Sequence, residues 1–520
     1  MTTKSSTAVL IVGAGPTGTA LAIDLTRRGV AVRLVDKEPT EFDGSRAKGI
    51  QPRTMEVLED LGATTDVLNH GSLYPKMGIH LGPATIPWRM MAQGKPGPDV
   101  PYPDTWLIPQ NSTVRALHDR LEALGGHVEL GVELVEFASD ATGVTAQLRS
   151  SDGIEEIAAR YLVGADGGSS RVRKTAGIDF SGSTDEADRI LIVDAAVDGG
   201  LSRKYWHVWP GRGSRFIGAC PLPHSELFQW MIRLGPDEDP PATAEAITKR
   251  VQANTGNKKL VLRNIAWKSV FRPNIRLAQN YRRGPVLLAG DAAHVHTPAG
   301  AQGMNTVIGD AYNLGWKLAQ VLAGADDALL DTYEAERQPI AAGVLGLSTK
   351  KYEGLGKLDP SSIRRGKDEK QLSLTYHGGP LASLAADRTA MLRVGDRAPD
   401  AELVTGDGVP VRLFDSYRGP HFTVIAYGTY AATELAQMTS PTAGAQLKRL
   451  VVGGNDETAP STGGSTVLSD PTGDFARIYG LSRSTLLLIR PDGYIGHIAA
   501  HDIARSTRIA LDFMTPDEEC

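Results

Sequence analysis

Gly13, Gly15 and Gly18 stand in the run G-A-G-P-T-G, directly after the short apolar stretch Val9–Val12 and ahead of helically spaced Ala20, Leu21 and Leu25. That order suits a diphosphate. Gly13 permits a tight turn, Gly15 lets the backbone approach a pyrophosphate, and Gly18 lets helix and strand pack closely. The helix N-terminus then turns its free N–H groups toward the phosphates. A second apolar run, Val30–Val35, ends at Asp36, at about the 20-residue distance expected of an acid that accepts from an adenosine ribose. An Asp there rather than an Arg favours a free 2′-hydroxyl, hence FAD or NAD and not NADP. Two further clusters have the same flavour: G-A-D-G at 164–167, containing Asp166, and G-D-A-A-H at 290–294, containing Asp291. Far apart in the chain, the three together point to one nucleotide cofactor held by distant segments.

The elements that must position these residues are legible in outline. The apolar runs flanking the first glycines read as buried parallel strands in an α/β layer. A helix is expected over 54–61, and another opens at Gln110 with Leu117, Leu121 and Leu124 on one face. Residues 128–136, 144–149 and 155–163 alternate like an antiparallel sheet. Strands recur at 190–197, 205–209, 215–221 and 228–234, the last with a possible helical start, and 242–255 reads as helical. A buried strand returns at 285–290, a helix at 308–322, and a compact α/β module restarts near 394. At 520 residues the chain exceeds what one core supports, so two or three domains are expected. A net charge of −5 gives no general affinity for nucleic acid. No apolar run reaches membrane-spanning length, and the N-terminal run feeds a Gly turn rather than a secretion signal. Two cysteines are too few for a disulfide framework or a metal site, which fits a cytoplasmic enzyme without a metal.

The three motifs, in this order and spacing, resemble the FAD-dependent aromatic hydroxylases, the single-component flavoprotein monooxygenases typified by para-hydroxybenzoate and phenol hydroxylases. The likeness covers most of 5–350. V-G-D-R-A-P-D at 394–400, L-I-R-P-D-G-Y-I-G-H at 488–497 and L-T-Y-H-G-G-P-L at 374–381 narrow it to polyketide-tailoring and substituted-phenol hydroxylases with a thioredoxin-like C-terminal domain. The fold so implied is α/β: a Rossmann-like FAD-binding domain (1–73, 105–185 and 275–372), an inserted β-rich substrate domain (74–104 and 186–274), and a thioredoxin-like domain over 394–520. The resemblance places Arg46 near the pyrophosphate and the path of a swinging flavin, and Gln110 beside the cofactor. Asp166 would help hold FAD and, transiently, the nicotinamide. Asp291 would bind the ribitol, and the Pro298 carbonyl would lie near the reacting flavin edge. Gly303, Met304 and Asn305 would begin a helix whose N–H groups stabilise negative charge on the flavin. Where relatives read G-G-Q-G-M-N this chain has Ala301 as the second residue, and Val114 replaces an acid beyond Gln110.

The implied chemistry is reduction by NADPH or NADH, reaction with O2 to a flavin C4a-hydroperoxide, and oxygen transfer to a phenolic ring. The cofactor carries the difficult step, while the protein positions the ring and excludes water. Only one dinucleotide fingerprint is present, so the nicotinamide must bind without a Rossmann domain of its own. Trp206, Trp209 and Met231 are expected to line the substrate site, with Met77, Met90 and Met91 as pliable lining. This composition favours a bulky, neutral polycyclic or polyketide-type aromatic. A small phenolic acid would instead use an arginine such as Arg89, Arg203 or Arg215. No phenol base is assigned: His294 and His296 lie near the flavin motifs in sequence, and histidine is the side chain whose ordinary range suits a base, but His294 belongs to a structural turn. The C-terminal module has A-Y-G-T-Y-A-A at 426–432, without the cysteine that thiol–disulfide chemistry requires. Baeyer–Villiger insertion or antibiotic inactivation on the same scaffold is the alternative, a flavin reductase or halogenase a more distant one, and a homodimer is the family habit.

Overall fold

The computed structural model describes residues 5–82, 84–90, 93–211, 216–297, 302–356, 368–382, 387–438, 444–453 and 464–511, with 348–356 as backbone alone. Its first layer is an eight-stranded sheet. Arg282–Arg283, Val286–Leu288, Gly153–Gly164, Ser5–Val12, Val32–Asp36 and Val128–Leu130 lie side by side in that order. Val144–Ser150 and Glu133–Ser139 extend it from Gly153–Gly164. Ser5–Val12 pairs in parallel with both neighbours, and Val9, Leu10 and Ile11 are fully buried. Unbroken apolar runs belong in such a strand because helices cover both faces. Helices Pro16–Thr26, Gln110–Ala123 and Gly303–Leu322 pack on this layer.

One sequence expectation needs correcting. Residues 155–163 were expected in an antiparallel sheet, yet Gly153–Gly164 is antiparallel to Val144–Ser150 and parallel to Ser5–Val12 and Val286–Leu288. The strand changes character along its length. Its first half is largely exposed or half-buried, whereas Tyr161–Gly164 are all buried. Alternation in the first half dominated the sequence signal.

The second sheet has seven strands in the order Val261–Phe271, Arg189–Asp198, Phe228–Leu234, Ile217–Pro221, Tyr205–Trp209, Lys76–Leu81, Ala84–Trp88. Phe228–Leu234 is strand from its first residue, and its neighbours pair with it antiparallel on both sides. Val261–Phe271, where the sequence showed no clear alternation, forms the far edge beside Arg189–Asp198. Helix Ala244–Thr255 covers one face, where Val193, Trp209, Ala219, Trp230, Ile232, Ile247 and Val251 form a core. The opposite face carries Asp194 and Gln229, which bond Ser45.

A third, seven-stranded mixed sheet completes the chain. Its three middle strands, Thr466–Ser469, Leu447–Gly453 and Phe422–Tyr427, are parallel, and Thr485–Ile489 and Ile495–Ala499 continue it antiparallel. This module is welded to the rest. Trp316, Ala325 and Leu329 share a hydrophobic core with Phe422, Val424, Leu435 and Leu488. Beside it lies a buried charge cluster: Arg490 bonds Glu336 at 2.6 and 2.9 Å and Asp492 at 2.5 Å, and the Lys317 ammonium reaches Glu336 at 2.7 Å. Among the described residues no helix is long and apolar enough to cross a membrane.

Candidate functional site

The Gly-rich turn does what its glycines suggest. Gly13 has φ +104°, and a Cβ there would lie 2.4 Å from the Ala165 carbonyl oxygen. A Cβ on Gly18 would lie 1.9 Å from the Gly13 oxygen, so only glycine lets this helix sit against its own turn. Gly15 is different: a Cβ there meets no atom within 4 Å. It is the N-cap of helix Pro16–Thr26, and no side chain caps that end. The turn is thus closed on the protein side and open on the other, with helix N–H groups at its mouth. Asp36 lies beside it, accepting from Ala14 N at 2.8 Å and Glu38 N at 3.0 Å. Its carboxylate therefore braces the turn.

The other two Gly/Asp motifs converge on the same end of the sheet. Ala165 N bonds the Val12 oxygen at 2.8 Å, which brings G-A-D-G against the Gly-rich turn. Asp166 caps the short helix Arg171–Thr175, accepting from Arg171 N at 2.7 Å, Val172 N at 3.1 Å and the Ser170 hydroxyl. Gly290 has φ +64°, and a Cβ there would meet the Thr17 hydroxyl at 2.3 Å, so the third motif also abuts the first helix. Asp291 is exposed, whereas His294 is fully buried and bonded to Asp310 at 2.6 Å. Asp310 in turn accepts from Arg337 Nε at 2.7 Å. That Arg and His hold the Asp310 carboxyl below its usual range against the cost of burial. His294 is therefore a structural anchor. His296 stacks near it, its Nε2 buried without a partner among the described residues, and burial pushes its pKa down.

Segment 44–51 ties everything together. Asp194 accepts from Ser45 N and Oγ at 2.7 and 2.6 Å, and Gln110 N donates to the Ser45 oxygen at 3.1 Å. Gln110 Oε1 accepts from Ala47 N at 3.4 Å. Asn305 accepts from Gln51 N at 2.7 Å and donates to the Gly49 oxygen at 2.8 Å. Arg46 takes φ +22°, a strained value for a non-glycine residue, and its guanidinium lies exposed 5.4 Å from the Phe42 ring. Gly303 and Met304 begin helix Gly303–Leu322, whose N-cap Gln302 gives no side-chain cap. Pro298 and Ala301 lie outside the described residues.

Beyond this segment lies the cofactor-side face of the second sheet. Strand parity puts Trp206, Val208, Gly218, Gln229, Met231 and Asp194 on it. A Cβ on Gly218 would sit 3.1 Å from Met231 Cε and 3.5 Å from Trp206 Nε1. The indole nitrogens of Trp206 and Trp88 are buried without a partner among the described residues. Trp209 does not join them. It points to the other face, stacked 4.4 Å from His80 and 6.3 Å from Trp230 in the core, because residues 206 and 209 have opposite parity in a strand. Of the arginines considered for an acidic substrate, Arg89 is exposed, Arg203 donates to the carbonyls of Leu222, Glu226 and Leu227, and Arg215 lies outside the described residues. Ser45, Lys48, Asp194 and Gln229 escaped the motif-based reading. An acid within the apolar run I-L-I-V-D-A-A-V was their visible signal.

The residues fit a flavin dinucleotide: an open glycine at an uncapped helix end, a second uncapped helix start, and an exposed Asp291, all at one end of a parallel sheet. Residues 6–348 match the family described as FAD binding domain. The chain belongs to the FAD-dependent aromatic monooxygenases. Residues 395–512 match the HcaD C-terminal domain. The monooxygenase is 41% identical over 502 residues to a flavin-dependent monooxygenase of Mycobacteroides abscessus, covering 94% of this chain and 96% of that one. It is 32% identical over 516 residues to the 6-methylpretetramide 4-monooxygenase of Streptomyces rimosus, covering 94% and 90%. The anhydrotetracycline hydroxylase structure from Streptomyces rimosus superposes with a TM-score of 0.75 at 29% identity, covering 98% of this monooxygenase and 99% of that chain.

Proposed function

We propose that this monooxygenase uses NAD(P)H and O2 to hydroxylate a phenolic ring of a bulky, polycyclic aromatic substrate. The observation that carries the reading is the cofactor-side face of the second sheet, where Trp206, Gly218 and Met231 form an aromatic and apolar floor opposite segment 44–51. Two buried indole N–H groups on the strands there, of Trp88 and Trp206, have no partner among the described residues. Buried donors without partners are costly, and a polar substrate group relieves that cost. Relatives named for pretetramide and anhydrotetracycline chemistry support a substrate of this size.

In this reading the open side of Gly15 and the N-terminus of Pro16–Thr26 hold the pyrophosphate, and Asp36 and Asp291 take the ribose and ribitol hydroxyls. The N-terminus of Gly303–Leu322 favours negative charge on the flavin ring. FAD held there would supply the redox chemistry, as acceptor of hydride from a nicotinamide and as the group that reacts with O2. The chain's own task is to orient the phenol over Trp206 and Met231 and to keep water away. The domain division follows: FAD binding by 1–73, 105–185 and 275–372, substrate binding by 74–104 and 186–274, and a redox-inactive thioredoxin-like module over 394–520.

The test is NADPH oxidation by the FAD-loaded enzyme, with oxygen and peroxide followed over a panel of mono- and polycyclic phenols. One polycycle should accelerate NADPH loss with little peroxide and gain one ring oxygen by mass. A ring-expanded lactone as product would replace hydroxylation by Baeyer–Villiger insertion. Acceleration confined to monocyclic phenolic acids would refute the substrate size.

A further inference from the structure

Lys48 is an anomaly on the substrate-facing side of segment 44–51. It is half-buried, and its ammonium lies 5.2 Å from the Trp206 ring centroid. Its hydrogen-bond partner is Gln229 Oε1. That amide is fixed in orientation, because its Nε2 donates to Ser45 Oγ at 2.5 Å and to the Arg46 oxygen at 3.1 Å. An ammonium has three donors, and Gln229 uses one. None of the described ion pairs includes Lys48. The acid facing it, Asp194 on Arg189–Asp198, is committed to Ser45 N and Oγ. The other titratable group facing it, Cys220 on Ile217–Pro221, has its thiol pushed up to about 11 by burial and so stays neutral. Burial disfavours the Lys48 charge, and Asp194 only partly offsets it. The side chain is held in place from both ends: Tyr74 Oη and Ile108 N donate to its own carbonyl at 3.0 and 3.1 Å.

A largely desolvated ammonium beside an aromatic floor, with donors to spare and no carboxylate of its own, is suited to an anionic oxygen. We propose that Lys48 is a specificity-determining residue that binds the ionised phenolic oxygen of the substrate, with that ring lying over Trp206. This rests on the hydroxylase reading for the location of the substrate, but not for its chemistry. No covalent bond to the protein forms, and the one bond broken is the phenolic O–H. The phenol loses its proton to solvent, and the ammonium of Lys48 pairs with the phenolate that remains. Lys48 thereby selects acidic phenols and supplies the cation that Arg203, bound to backbone carbonyls, does not.

The experiment uses the FAD-loaded enzyme with 1,2-dihydroxyanthraquinone, an acidic polycyclic phenol whose anion differs in colour, and its dimethyl ether as a neutral control. The parent enzyme is expected to bind the dye in its anionic colour at pH values where the free dye is still protonated, lowering its apparent pKa by about one unit, a tenfold preference for the anion. Lys48→Met should abolish that shift and weaken dye binding about tenfold while leaving ether binding unchanged. Lys48→Arg should restore most of it. If the parent fails to bind the dye more tightly than the ether, or Lys48→Met weakens both equally, the proposal is overturned and Lys48 merely braces Gln229 and Trp206. An enzyme that shows the shift but turns every phenol into uncoupled peroxide would lose the hydroxylase reading and keep this one.

Discussion

Gly15 and Gly18 offer a clean separation of ligand binding from folding. Gly15→Val adds a side chain where no protein atom lies within 4 Å, at a residue whose φ of −71° any amino acid adopts. The loss in the free protein is that of a poorer helix cap, about 1 kcal/mol. In the proposed complex, the same side chain would occupy the approach of the pyrophosphate to the helix N–H groups. Losing one charge-assisted hydrogen bond costs about 1.5–3 kcal/mol, which weakens FAD binding roughly 10- to 100-fold. Gly18→Ala reverses the pattern, since its Cβ would lie 1.9 Å from the Gly13 oxygen, a backbone atom that cannot rotate away. Forcing the helix off its turn costs about 1–3 kcal/mol or more of stability without ligand. Urea denaturation of the FAD-free variants, with flavin fluorescence titration of each, measures both quantities. Gly15→Val holding FAD as tightly as the parent would refute the placement of the pyrophosphate at this turn.

Three further outcomes are expected. Trp206→Leu should weaken substrate binding with little change in melting temperature, while Trp209→Leu should destabilise by about 2–4 kcal/mol as a large-to-small core change and leave substrate affinity intact; calorimetry and equilibrium binding on both variants would expose an exchange of these roles. Glu336→Ala leaves the charges of Lys317 and Arg490 buried with one carboxylate fewer, so a loss of about 3–5 kcal/mol is expected by chemical denaturation; a near-neutral result would contradict the buried pairing. Arg490 and Lys317 hold the Glu336 carboxyl, and His294 and Arg337 the Asp310 carboxyl, below their unfolded values despite burial. Their contribution to stability is therefore complete above about pH 4–5 and falls as acid approaches the folded pKa values. Melting temperature should drop steeply below about pH 4, less so in Glu336→Gln, and a flat profile would count against both ion pairs.

Much of the cofactor region was legible because each glycine there answers a backbone demand that a sequence motif records: Gly13 a positive φ, Gly18 a close approach, Gly15 an open face. Apolar periodicity alone starts the helix at 308, five residues late, since its first turn lacks that pattern, whereas the family resemblance starts it at Gly303. Substrate-side residues were harder. Trp206 and Trp209 look alike in a list of aromatics, and only strand register assigns one to the site and the other to the core. Lys48, Asp194 and Gln229 act through contacts between segments far apart in the chain, and local pattern carries no trace of such pairings. Val261–Phe271 was missed for a related reason: as an edge strand it is half exposed, and its apolar residues do not alternate cleanly.

Helix Gly303–Leu322 starts beside the proposed flavin ring and ends inside the core of the last module, where Trp316 packs edge-on against Phe422 at 5.6 Å and donates to Asp492 at 3.1 Å. The last module is thus not a modular cassette. Grafting the equivalent piece from a relative onto residues 1–382 would pair new surfaces with an old helix, and Trp316, Lys317 and Glu336 would have to travel with it. For directed evolution, substitutions in the terminal module have a mechanical route to the cofactor. For recombination libraries, a crossover ahead of Trp316 is safer than one after Leu322, because only the former keeps Trp316, Lys317 and Glu336 with the last module.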